Sequence, residues 1–363
     1  MESVFAPNIG ANEETMLLIG AAVLLLIVLY GGSIAKVVLR MTFRKPVAGD
    51  DPRVAPKPTS EQRLRRPDGS ELNVESYGRE DGIPIVLTHG WGLHGAEWNY
   101  LKRDLTDHFR LIVWDEPGLG ESTRPANRDY SIENLARDLE AVLALAGEKP
   151  AILLGHSIGG MITLTFCRLF PEAIGSRVIG LVLTHTTPRN PVRTTAGAAF
   201  FTAIEKPVLV PLMYVTIALS PLFWLMSWLS YRNGSAHLSN ERSSFGGTET
   251  WEQIEFATDF QPQASPAVLA LGMLSMMRYD ATAVLPRINI PTRGRRKSGL
   301  DDEAGGQRAN TIRRSSCPVD DTRAREASRP DRASHEVCRR CSRICPRRAG
   351  AGQSCRRGII PDV

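Results

Sequence analysis

The sequence predicts an α/β protein: a mostly parallel, doubly wound sheet with a helical lid insertion, behind an N-terminal transmembrane helix. Three observations predict it. Short apolar runs, among them Ile83–Thr88, Leu111–Trp114, Ala151–Leu154 and Val178–Leu183, alternate with longer helical segments. That is the pattern of parallel strands buried on both faces. The alternation breaks between residues 188 and 278, where an uncharged stretch with three prolines (Pro207–Tyr231) appears. Ahead of everything lies Met16–Ala35, 20 residues without a charge.

At 1.5 Å per residue those 20 residues cross a hydrocarbon core of about 30 Å. Residues 1–15 carry Glu2, Glu13 and Glu14 but no Lys or Arg, which is wrong for the basic start of a signal peptide. Lys36, Arg40, Arg44 and Lys45 follow the apolar run, so the positive-inside rule predicts a single-pass anchor (16–40) with the globular part in the cytoplasm. Residues 41–61, rich in proline, read as a linker.

The core is expected from 62 to 187. Residues 62–78 read as an antiparallel pair around Pro67-Asp68-Gly69, followed by the strand 83–88 and a helical segment over 96–105. After the strand 111–114, Ser131 opens a helix to about Leu145, ended by Ala146-Gly147. The strand 151–154 leads into a helix over 159–169, and the strand 178–183 closes this part. Residues 188–278 read as a lid, apolar because it covers an apolar pocket, and 279–292 as the last core helix and the start of another strand.

The tail from 293 to 363 has a different composition. It holds 18 Lys/Arg against 9 Asp/Glu, leaving 26 against 30 elsewhere, so the net charge of +5 belongs to the tail and not to the core. Five of six cysteines also lie there, and a body with one, Cys167, gives no sign of a disulfide framework.

Three motifs fall at predicted strand ends. Gly155-His156-Ser157-Ile158-Gly159 matches G-x-S-x-G between a strand and a helix. Its glycines permit a sharp turn that lifts the Ser157 oxygen above the sheet, and the Ile158 amide at the helix start points toward a developing oxyanion. His89-Gly90-Trp91-Gly92 closes the earlier strand and offers a second amide, that of Trp91. Asp115-Glu116-Pro117-Gly118-Leu119-Gly120-Glu121-Ser122 reads as structural, shaping the rim of the site.

With H-G-W-G, D-x-P-G-x-G-x-S and G-H-S-I-G-G in that order, residues 63–292 resemble the α/β-hydrolase superfamily. The resemblance implies a Ser–His–acid mechanism that needs no cofactor or metal, with Ser157 as nucleophile and His156 a member of the elbow, not the base. A serine in place of an aspartate argues against epoxide hydrolases and dehalogenases and favours ester hydrolysis. Cofactor-free peroxidase-type and C–C hydrolase activities use the same triad. The anchor and the apolar lid favour a lipophilic acyl ester, with the membrane as the other partner and no specific nucleic acid.

The resemblance also places the acid after the next strand and the histidine further on. Here the chain runs from Ile290-Pro291-Thr292 into Arg293, Arg295, Arg296 and Lys297, with no Phe, Tyr, Trp or Met from Arg293 onward. Such a segment has too little apolar surface to order itself. Read one base later, codons for Arg293–Asp302 permit V-V-V-G-N-L-D, a variable residue and two of Met or Thr, and those for Glu303–Gln307 permit K-P-E-A-S, the missing strand, acid turn and helix start. The expectation is therefore a frameshift after Thr292 that removes acid and base. Asp301 or Asp302 and His335 stand in the right order as weak substitutes. The spacing His335, Cys338, Cys341, Cys345 is zinc-like but lacks a fold around it. His94 and His185, near strand ends, do not occupy the expected place of the base.

Overall fold

The computed structural model describes residues 9–42, 51–245 and 249–295. The apolar runs become strands β1 (Ser60–Arg65), β2 (Glu71–Gly78), β3 (Ile83–Thr88), β4 (Phe109–Trp114), β5 (Ala151–His156), β6 (Val178–Thr184) and β7 (Thr292–Arg295). They form one sheet in the order β1-β2-β4-β3-β5-β6-β7. β2 pairs antiparallel with β1 and β4; every other pairing is parallel.

The period-two alternation of the strands divides the core between two faces. Val86, Ile112 and Trp114 point to the side filled by α3 (Ile132–Ala144) and α4 (Ile158–Leu169). Ile85, Leu87, Leu111 and Val113 point to the other side, where Trp98 and the partly buried Leu101 and Leu105 cover them. The predicted helix over 96–105 begins as a 3-10 turn, Gly95–Trp98, and continues as α2 (Asn99–Leu105). Ser131 caps α3 by accepting from the Asn134 amide, so the start signal read in the sequence is also the physical cap.

Between β6 and β7 the chain builds the lid: α5 (Ala198–Ile204), a π turn, α6 (Val210–Ala218), α7 (Ser220–Arg232), α8 (Ser235–Ser244), α9 (Trp251–Gln263) and α10 (Pro266–Met277). The uncharged run 207–231 is not one helix; it breaks between α6 and α7, where Pro221 opens the second. Its large apolar side chains face outward, Leu212, Tyr214, Val215, Leu222, Trp224, Leu225, Met226 and Trp228 all being exposed. Among the described residues, the segment long and apolar enough to cross a membrane by length and composition is Ala198–Ala218.

Met16–Ala35 lies within a single helix, α1 (Ile9–Thr42). Its far end docks on the lid: Lys36 Nζ lies 3.0 Å from Glu255 and 4.0 Å from the centre of the Tyr231 ring, and Arg40 reaches Glu252. Glu255 also accepts from Tyr231 and contacts His237. Although burial works against ionisation, these three partners hold its carboxyl down to about 2.

Two expectations about the end of the sheet need correction. The last helix before it is only a 3-10 turn, Thr282–Arg287. The next strand does not stop at Thr292 but runs through Arg293 and Gly294 to Arg295, paired with Leu181–Thr184 of β6. Pairing uses only backbone N–H and C=O groups, and Arg293 and Gly294 are exposed, so this edge strand needs no apolar side chain. Asp301, Asp302, His335 and the tail cysteines lie outside the described residues.

Candidate active site

β3, β4, β5 and β6 run parallel, and their C-terminal ends deliver four loops to one edge of the sheet. In open α/β sheets that edge is where ligands bind. Thr88 pairs with Gly155, so the H-G-W-G loop and the Ser157 elbow leave adjacent strands at the same level.

Ser157 has φ 51° and ψ −113°, outside the regions open to an ordinary L-residue. A non-glycine residue held so is strained, and the surroundings have to enforce it. Its amide donates to Thr184 at 2.9 Å, and its carbonyl accepts from the Thr186 hydroxyl at 2.7 Å and from Gly160 at 3.1 Å. The elbow glycines are required by close approach. A Cβ on Gly155 would run into the Gly159 carbonyl, one on Gly159 into the Thr88 carbonyl, and one on Gly160 would lie 2.6 Å from Thr186. Ile158 is the first residue of α4, so its N–H has no partner inside the helix.

The opposing loop is held by its own network. His89, fully buried, accepts from the Glu116 amide at Nε2 (2.9 Å), so Nδ1 carries the proton and donates to the Gly90 carbonyl (2.9 Å). Burial lowers its pKa, in keeping with a neutral ring. The Glu116 carboxyl 3.9 Å away is therefore no ion-pair partner. It too is fully buried, has no hydrogen-bond partner among the described residues, and is pushed well above the carboxylate range by burial and by Glu97, Asp115 and Asp138. Asp115 braces the rim: its carboxylate accepts from the amides of Gly95 (2.7 Å) and Glu121 (3.0 Å).

Glu97 was not singled out by the sequence. It accepts from the Gly90 amide at 2.9 Å and contacts His156 Nδ1, tying the H-G-W-G loop to the elbow from below. The two side chains are 11% and 18% exposed. The contact is an ion pair. Burial opposes both charges, yet His156 is held above the ordinary imidazole range and Glu97 below the ordinary carboxylate range. The stabilisation is whole between about pH 4.3 and 6.5. It fades as pH rises through the raised His156 value, and again as pH falls through the lowered Glu97 value. Glu97→Gln is expected to cost roughly 3 kcal/mol at pH 6, with the difference from wild type shrinking toward pH 9, as read from urea midpoints.

Among the described residues the Trp91 amide makes no hydrogen bond, and its loop leaves β3 level with the strained Ser157 elbow, where Ile158 starts α4 with its N–H free of the helix. That arrangement suits attack on a carbonyl whose oxygen gathers negative charge. His94, by contrast, caps the 3-10 turn by accepting from Ala96, and its ring meets that of Phe260 at a tilt, 4.7 Å between centres. His185, just past β6, has φ 47° and its ring centre 5.9 Å from that of His156. Among the described residues no cluster of His, Cys, Asp or Glu would hold a metal ion.

A family model described as the alpha/beta hydrolase fold matches residues 83–202. A pimeloyl-[acyl-carrier protein] methyl ester esterase of Methylococcus capsulatus is 41% identical over 119 residues, 32% of this chain and 42% of that protein. The chain thus spans about two fifths of the length of the curated relatives it matches. Among solved structures, an esterase from Exiguobacterium antarcticum superposes with a TM-score of 0.51 at 21% identity, over 65% of this chain and 80% of that one. A bromoperoxidase from Bacillus anthracis does so with a TM-score of 0.50 at 20% identity, over 65% and 80%. At such identities the structures speak for the fold alone. Strand order, elbow and family match agree, and residues 83–202 match the α/β-hydrolase fold.

Proposed function

We propose that this chain is a membrane-anchored serine hydrolase that cleaves a carboxylic ester, with a lipophilic acyl ester favoured. The observation that carries the reading is the strained Ser157 at the end of β5, level with the H-G-W-G loop at the end of β3. Ser157 Oγ attacks the ester carbonyl and passes its proton to a base, while the oxyanion is met by the Trp91 and Ile158 amides. The alcohol leaves with a proton, and water then releases the acid from acyl-Ser157. The relative named as a methyl ester esterase supports an ester substrate. Support for the membrane comes from Met16, Leu17, Leu18 and Ile19, exposed on α1, and from the exposed apolar side chains of α6 and α7. The basic residues after the apolar part of α1 favour a cytoplasmic globular part.

A second reading is favoured by β7: the strand that should lead to the catalytic acid carries Arg293 and Gly294. In that reading the chain keeps nucleophile and oxyanion hole but has lost acid and base, and is impaired or non-catalytic. A fluorophosphonate probe applied to the expressed full chain separates the two. Labelling in a detergent-extractable membrane fraction, abolished by Ser157→Ala, is the expected result for the enzyme. A folded, unlabelled wild type sinks that reading in favour of the second.

A further inference from the structure

The oxyanion loop is gripped from the lid side as well as from the core. The Trp91 indole leaves the loop and lies on α10, its Nε1 donating to the Leu269 carbonyl at 3.0 Å. It meets Tyr130 edge to face, with ring centres 6.0 Å apart. Gly272, one helical turn further along α10, forms the notch that receives the ring; any Cβ there would overlap it. Trp91 thus packs against both the main core and the small cluster of Leu119, Tyr130, Ala264 and Val268 beside the lid.

α10 is itself fixed at two ends. Toward the lid, the Ala267 amide donates to Ser220 at the start of α7, and α6 packs along the helix. Toward the core, Ser275 accepts from the Ile132 amide, and the Met277 carbonyl accepts from Asn190. The backbone on either side of Trp91 is glycine, Gly92 at φ 82°, and glycine restrains its neighbours least. The Gly90–Trp91 peptide is held at its carbonyl, which accepts from His89 Nδ1 (2.9 Å) and from the Leu93 amide (3.0 Å), and the docked indole is its second anchor, on the other side of the Trp91 amide.

We infer that Leu269 and Gly272 of α10 are positioning residues for the oxyanion hole. They aim the Trp91 amide by holding its indole, and so couple the lid to the rate of attack by Ser157. The inference rests on the proposed role of the Trp91 amide. An oxyanion donor is effective only when fixed in advance, and loss of one costs about 10²–10³ in rate. The contact links the exposed α6–α7 surface to the loop beside the nucleophile: α6 and α7 pack on α10, and α10 carries the indole.

The test uses Gly272→Ala, Trp91→Phe and the double variant in the full chain. Two readouts are taken: amide hydrogen exchange over residues 89–93, and the phosphonylation of Ser157 by the fluorophosphonate probe, separated into its binding and bond-forming constants. Gly272→Ala is expected to speed exchange in the loop and to slow bond formation about 10- to 100-fold, with probe binding changed less than about threefold. Trp91→Phe, which keeps a ring but loses the Leu269 bond, is expected to give a smaller loss. Because the smaller ring relieves the overlap with the methyl group added at position 272, the double variant should be no worse than Trp91→Phe alone. Unchanged exchange in Gly272→Ala overturns the inference, as does faster exchange with unchanged bond formation, or losses that simply add. If the wild type is not labelled at all, the nucleophile reading falls. Exchange alone then decides the coupling: faster exchange in Gly272→Ala, relieved in the double variant, upholds it, and unchanged exchange overturns it.

Discussion

A gene re-read one base later from codon 293 is expected to yield a chain that hydrolyses p-nitrophenyl esters at least about 10³-fold faster than the present one. The reason is the division of labour in a serine triad. An oxyanion hole without a base leaves a residue of catalysis over water, but the serine hydroxyl stays weakly nucleophilic. The shifted frame permits V-V-V-G-N-L-D where Arg293–Gly299 now stand, replacing an exposed edge with three β-branched residues and placing an acid beyond the strand. Both chains would share Ser157, Trp91 and Ile158, so the gain should appear in turnover more than in apparent affinity. Sequencing of the gene around that codon is the companion measurement. An uninterrupted frame in related genes, or equal rates from the two chains, would remove the frameshift reading.

The second large effect is expected at the elbow. Gly159→Ala should destabilise the fold by about 3 kcal/mol and abolish fluorophosphonate labelling, because the added carbon meets backbone and not a movable side chain. It would run into the Thr88 carbonyl and sit 2.9 Å from that of His89, so α4 would have to lift off the ends of β3 and β5. The Ile158 amide would lift with it. A urea midpoint shift at unchanged slope, together with loss of labelling, is the expected result. A variant as stable and as reactive as wild type would show that the glycine does not set the elbow.

Much of this was legible in the sequence. Ile83–Leu87 and Leu111–Trp114 read as buried strands because β-branched and apolar residues filled them end to end, and each closed on a motif rich in glycine. The elbow was legible because its glycines bracket a serine between a strand and a helix. Glu97 was not: one glutamate in a helical segment carries no sign that loop closure will bury it against His156. The same holds for Gly272, whose partner Trp91 lies 181 residues earlier in the chain. Such contacts are set by how the lid settles on the sheet, and no local periodicity encodes that. The edge strand was misread for the opposite reason: composition reports on side chains, and β7 is held by its backbone.

That strand has a consequence for the chain in crowded solution. Among the described residues β7 is the outermost member of the parallel end of the sheet, and its free side presents peptide groups on which a strand from another molecule can grow. Proteins commonly guard such borders with short strands and charged side chains. β7 is four residues long and carries the exposed Arg293. The same arginine that sets the strand apart from the core makes β7, as the border among the described residues, a poor template for strand addition.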